Sequence, residues 1–220
     1  KIAKKEQVKM IEIKISQGAK PGHGGMLLAA KVTKEIAETR GISMGKDCIS
    51  PAKHKEFSNP NQLIDFVKKL RKLSGNKPVG IKMCVGHPWE LVSIVKTMFL
   101  RKEYVDFITI DGAEGGTGAA PAEFTDHLGS PLKDAIVFVD NALVGSNLRE
   151  RVKIGVSGKI VSAFDIAHMC SLGADWINMA RPFMFSIGCI QCRSCHTGEC
   201  PTGIATMAVS YTHLRAHETS

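Results

Sequence analysis

Five short apolar runs recur along the chain, at Met10 to Ile15, Val79 to Val85, Phe107 to Ile110, Val152 to Val156 and Trp176 to Ala180. Each has the length of a buried strand. The segments between them carry helical spacing instead. In Asn61 to Leu73 the apolar positions Leu63, Ile64, Phe66, Val67 and Leu70 fall on one face, opposite Lys and Arg, and Asn59-Pro60 marks the start. Glu90 to Leu100 and Ala163 to Leu172 read the same way, with Gly173 as the stop of the second. Pro131 to Leu148 reads as a helix, although Ala135 to Val139 taken alone would pass for a strand.

Strands that alternate with helices predict an α/β fold with a parallel sheet. A closed (β/α)8 TIM barrel needs eight strands and about 250 residues. Five strands therefore predict a partial barrel made of the C-terminal five βα units, lacking the first three, with two exposed sheet edges. The chain shows no solenoid repeat. From Met207 onward periodicity and turn signals stop, so residues 207–220 read as a non-native tail resembling translated adaptor sequence. Residues 1–206 are expected to form one domain.

Composition adds little to this picture. The chain is 44% hydrophobic and 23% charged, as ordinary globular proteins are. No apolar run is long enough to span a bilayer, and Lys1 to Lys9 is charged, so a cytoplasmic protein without a membrane span is expected. The net charge of +8 raises the question of nucleic acid, but the basic residues are dispersed and aromatics make up only 6%. A nucleic-acid partner is therefore not expected; phosphate-bearing cofactors and dicarboxylates suit such a chain better.

The candidate chemistry sits in five segments. Four of the seven cysteines, Cys189, Cys192, Cys195 and Cys200, crowd into one Gly- and Pro-bent stretch, whereas Cys48, Cys84 and Cys170 are scattered and read as small buried hydrophobes. Clustered thiolates favour a metal or cluster site over a disulfide framework. The spacing favours an iron–sulfur cluster over zinc, which more often uses two separated pairs, and both remain open. After the first strand comes Gln17-Gly18-Ala19-Lys20-Pro21-Gly22-His23-Gly24-Gly25, with Lys14, Lys20 and Lys31 near enough in sequence to hold an anion. A solvated lysine on a plain turn is the alternative. After the third strand, Asp111 to Pro121 is so rich in glycine that a flat ligand could lie against bare main chain, unless the loop is simply mobile. Gly155 to Lys159 and Asn178 to Pro182 follow the last two strands, where such barrels grip phosphate.

With these segments in order, the chain resembles the FMN-binding synthase domain of the glutamate synthase family, from about Met10 to Thr206. Ile13 to Gly25, Cys84-Val85-Gly86-His87-Pro88-Trp89-Glu90 and Asp111 to Pro121 resemble its compact, single-domain branch in particular. The resemblance implies an oxidoreductase that reduces the iminium of 2-oxoglutarate and ammonia to L-glutamate by hydride transfer from FMN. It also implies a three-iron cluster (3Fe–4S) held by Cys189, Cys195 and Cys200. Cys192 is then an extra thiol, able to complete a four-iron cluster (4Fe–4S). Lys20 and Arg40 fall where the family binds the 2-oxoglutarate carboxylates, with Gln17 beside them. Lys82, and Lys20 with it, take catalytic positions, Lys82 near the flavin ring where positive charge favours the anionic reduced form. Gly112, Gly115, Gly116 and Thr117 line the flavin, and Gly158, Lys159, Ala180 and Arg181 hold its phosphate. His23 and Met26 stand where larger members carry Glu and Gln.

The partners so implied are ammonia or glutamine-derived ammonia, a ferredoxin or an NAD(P)H-linked reductase as electron donor, and a glutaminase subunit. An N-methylglutamate synthase-type subunit would have the same fold. A non-catalytic scaffold carrying a cluster or zinc would instead hold no flavin.

Overall fold

Along the chain run strands β1 (Ile11–Lys14), β2 (Met26–Leu27), β3 (Cys48–Ile49), β4 (Val79–Met83), β5 (Phe107–Asp111), β6 (Lys153–Ser157) and β7 (Trp176–Asn178). The helices are α1 (Lys34–Arg40), α2 (Pro60–Ser74), α3 (Pro88–Arg101), α4 (Leu132–Gly145), α5 (Ala163–Ser171) and α6 (Arg181–Ser186). These come from a computed structural model that describes residues 2–116, 120–195 and 197–206. They divide into two units. The first takes in the chain to Pro21, His54–Gly116 and Ala120–Pro182; the second takes in Gly22–Lys53 and the chain from Phe183.

In the first unit all five predicted strands form and pair in parallel, in the order β1-β4-β5-β6-β7. Side chains alternate across a strand, so one sequence parity faces the helices and the other faces away. Ile13, Val79, Ile81, Met83, Ile108, Ile110, Ile154 and Val156 take the helix side and are buried. They pack with Leu63, Ile64 and Val67 of α2, Leu91, Ile94 and Met98 of α3, and Ile136, Val139 and Leu143 of α4. Each such fully buried side chain contributes about 1.5–3 kcal/mol, so this layer carries most of the unit's cohesion.

The opposite parity is chemically different. Glu12, Lys14, Lys82, Thr109, Asp111, Ser157 and Asn178 occupy it, together with Gly80, Phe107, Gly155 and Trp176. The two glycines make room for rings: a Cβ on Gly80 would stand 2.3 Å from Phe107, and one on Gly155 2.4 Å from Trp176. The two rings meet edge to face with centroids 5.4 Å apart. This face therefore has aromatic rings nearer the strand starts and polar groups toward the strand ends.

Helix limits follow their end signals. The Asn59 side chain accepts from the Gln62 N–H, Pro60 opens α2, and Gly75, with φ of 82°, closes it. Ser162 and Asp165 form a reciprocal capping box on α5. The Pro131–Leu148 segment is helical over Leu132–Gly145, because its apolar residues Leu132, Ala135, Ile136, Val139 and Leu143 form one buried stripe.

The second unit holds what the apolar pattern does not reveal. β2 and β3 pair antiparallel over only two residues each, too short to show alternation, and α1 buries only Ala37, so it has no apolar stripe. Lys31 donates from Nζ to the Cys195 carbonyl at 3.2 Å, tying this region to the cysteine segment. The expectation that all three scattered cysteines are buried holds for Cys84 alone. Cys48 is half-buried in a two-residue strand and Cys170 is exposed on α5. The 207–220 tail lies outside the described residues, and among the described residues no helix is long and apolar enough to cross a membrane.

Candidate active site

In the first unit the strand ends converge on one carboxylate. Asp111, the last residue of β5, is 7% exposed. Its Oδ1 accepts from the Ser157 hydroxyl at 2.6 Å, and its Oδ2 accepts from the Gly18 N–H at 3.0 Å. The Lys82 ammonium stands 3.5 Å from Oδ2. Four strand ends, those of β1, β4, β5 and β6, thus meet at a single buried anion. Lys14, register partner of Lys82, lies on the same face. Partial desolvation, then the Lys82 charge, holds Lys14 below the ordinary lysine value, while Asp111 acts in the opposite direction. One row nearer the strand starts, Thr109 donates its hydroxyl to Glu12 at 2.6 Å.

The glycines of these loops are needed by the loops themselves. A Cβ on Gly18 would lie 1.7 Å from the Gly112 carbonyl oxygen, and one on Gly112 2.6 Å from Leu132. Gly115 has only 2.9 Å between its Cβ position and Asp111 Oδ1, and Gly116, with φ of 117°, faces Ala19 at 2.4 Å. Gly158, with φ of 144°, needs glycine for its backbone conformation. Glu114, in the same run, turns back to accept the Leu132 N–H at 3.0 Å and so caps α4. Cys84 is packed under these loops, and burial, then Asp111, pushes its thiol up to about 11.

The anticipated phosphate ligands lie at the ends of β6 and β7. Lys159 reaches both Asp126 carboxylate oxygens at 3.1 and 3.2 Å. Arg181 donates to the Gly116 carbonyl at 3.2 Å, which brings it to the glycine loop. Ala180 is exposed beside it. Two cations with exposed or half-buried heads and a glycine backbone suit a phosphate ester, so these residues fit the terminal group of a flavin mononucleotide. Thr117 lies outside the described residues.

Gln17 and Lys20 are half-buried in the loop after β1. They belong to the first unit, whereas Arg40, exposed at the last position of α1, belongs to the second, as do His23 and Met26. In the second unit Cys189, Cys192, Cys195 and Cys200 fall in a loop with positive φ at Gly188, Gln191, Arg193, Gly198 and Gly203. Hydrogen bonds from the Thr202 hydroxyl and from backbone groups of Ala205, Thr202 and Ile204 lower the Cys200 thiol to about 6. Among the described residues no three His, Cys, Asp or Glu side chains converge enough to hold one metal ion. A cluster makes a different demand, since each of its irons takes its own thiolate. Four soft donors close together in the sequence are of the type such a cluster takes.

Asp111, Glu114 and Ser157 fall inside segments that the sequence marks out, but without a role of their own there. For Asp111 and Ser157 the signal was present: a charged or hydroxyl side chain at the final, non-core parity of an otherwise apolar strand marks the rim.

Comparison with known proteins gives this arrangement a context. The family model for the conserved region in glutamate synthase matches residues 3–219. The glutamate synthase large subunit-like protein YerD of Bacillus subtilis is 47% identical over 201 residues, 91% of this chain and 38% of that protein. The archaeal glutamate synthase (NADPH) of Methanocaldococcus jannaschii is 41% identical over 197 residues, 89% of this chain and 38% of the relative. The chain thus spans about two fifths of the length of these relatives. Among solved structures, a flavocytochrome b2 variant with benzoylformate superposes with a TM-score of 0.48 at 17% identity, over 85% of this chain and 38% of that one.

Proposed function

The chain belongs to the glutamate synthase family, and from that premise we propose that it is part of a barrel-type flavoenzyme making L-glutamate from 2-oxoglutarate and ammonia. The observation that carries the reading is the charged rim, where Lys82, Asp111, Gly18 and Ser157 meet at the C-terminal ends of parallel strands. Such rims are where barrel enzymes place their chemistry. Residues 1–206 are read as the domain that supplies it, as the C-terminal five βα units of the barrel.

FMN, when bound, supplies hydride transfer, and a three-iron cluster supplies one-electron transfer. Gly112, Gly115, Gly116 and Thr117 would hold the ring, and Gly158, Lys159, Ala180 and Arg181 the phosphate. Cys189, Cys195 and Cys200 would ligate the cluster, with Cys192 as a fourth thiol. By resemblance to the family, Lys20, Arg40 and Gln17 are the residues that would bind substrate carboxylates. Lys82 supplies fixed positive charge at the rim, which favours negative charge on a reduced ligand nearby. The electron donor is a ferredoxin or an NADPH-linked partner, the two kinds of reductant that relatives' names carry.

The test is anaerobic purification of the native polypeptide that contains this chain, followed by assay of flavin, iron and acid-labile sulfide. Flavin and about three irons per chain are expected, with glutamate formed from 2-oxoglutarate and ammonia. A colourless, iron-free protein, or one that turns over methylamine and glutamate instead, would sink the reading.

A further inference from the structure

We propose that Asp111 is the positioning residue for Lys82, fixing where its ammonium sits and offsetting its charge, so that Asp111 sets how strongly Lys82 favours reduced flavin. This rests on the reading that flavin binds at the rim.

The geometry supports it in three steps. Asp111 cannot swing freely, because one oxygen is held by the Ser157 hydroxyl at the end of β6 and the other by the Gly18 N–H of the loop after β1. A buried carboxylate held in this way is a fixed anion, and Lys82 Nζ lies 3.5 Å from it. Lys14 stands beside Lys82 in the pairing register, so without Asp111 the two ammonium groups would keep only Glu12, the weaker of the two anions acting on Lys14. Finally, the main chain of Gly115 passes so close to Asp111 Oδ1 that a Cβ there would lie at 2.9 Å. The glycine segment assigned to the ring thus rests on the same carboxylate. A charge pair this near a redox ligand acts on its potential through both members, and its effect depends on how they are held together.

Asp111→Asn is the informative change, because an amide keeps the size and can still accept from Gly18 while removing the charge. In the native polypeptide, redox titration of the bound flavin is expected to show its potential raised. The oxidised-to-reduced ratio at a given potential should shift about tenfold, about 30 mV for a two-electron couple. Lys82→Met should lower the potential. In the Lys82→Met background, Asp111→Asn should move it by less than half as much as in the wild type. A shift of half or more in that background, or no shift in either, overturns the proposal.

A second readout does not need flavin. Acetylation of Lys82 by acetic anhydride, followed by mass spectrometry against the exposed Lys96, should quicken several-fold in Asp111→Asn. If the wild type holds no flavin, the cofactor reading fails by itself, and unchanged Lys82 labelling then overturns the pairing. Should Asp111→Asn fail to fold, Ser157→Ala frees one carboxylate oxygen and keeps the charge. It is read by the same labelling, with faster reaction expected and an unchanged rate counting against the proposal.

Discussion

Cys84 shows how much one buried side chain reveals about its loops. Its sulfur lies 3.9 Å from the Gly18 carbonyl and under Gly129, whose Cβ position would be 2.3 Å from it. Burial favours the neutral thiol and raises it from 9.0 to about 11. The folded state therefore holds a proton that the unfolded chain gives up sooner, so stability must fall as pH rises between those values. This contribution is whole below pH 9.0 and lost above about 11. Urea unfolding from pH 8 upward should show a decline that Cys84→Ala lessens; parallel curves for the two proteins would refute it. The glycines at 18, 80, 112 and 155 belong to the same scale. Sequence reading takes the loop glycines as ligand-facing, whereas Gly18 and Gly112 make close contacts within the protein and Gly80 and Gly155 accommodate aromatic rings. A single sequence does not reveal which neighbour comes near a missing side chain.

Among the elements, legibility tracks length and amphipathic contrast. β4, β5 and β6, and helices α2, α3 and α5, were readable to within about two residues at most ends, because long apolar stripes and end caps agree. β7 ends at Asn178, earlier than its apolar run suggests, since it pairs with β6 only through that residue. The short β2 and β3, and the polar α1, left no periodic trace. One junction between elements was hidden for another reason: Glu114, inside the glycine-rich run, reaches the first N–H of α4. A carboxylate there also complements the helix dipole. Glu114→Ala is expected to cost about 1 kcal/mol, read as a lower urea midpoint with unchanged slope. No change in midpoint would mean that Pro131 and packing alone set the start of α4.

For the molecule as a whole, the parallel sheet was legible from alternating strand and helix patterns, and the candidate site only in part. Lys82 was placed by resemblance and the glycine loop after β5 by its composition, and both lie at the rim. Asp111 opens that loop, but its joining role was hidden, because the long-range contact to Gly18 crosses 93 residues and has no local signature. Lys20 and Arg40, paired by resemblance, fall in different units. The sheet has β1 and β7 as its edges, each with one side unpaired among the described residues. Open edges invite pairing with other chains. The 220-residue chain should therefore associate with rising concentration in sedimentation velocity runs; a monodisperse monomer across the range would refute this.

The glycine recess at position 155 has an optical consequence. The chain has two tryptophans: Trp89 is 63% exposed and stacked on His87, while the Trp176 indole lies against Gly155 and Phe107 on the polar side of the sheet. With Trp89→Phe in place, ultraviolet-excited emission would come from one indole on the sheet's polar face. Its wavelength would then report wetting of that surface, and any absorbing ligand seated there would dim it.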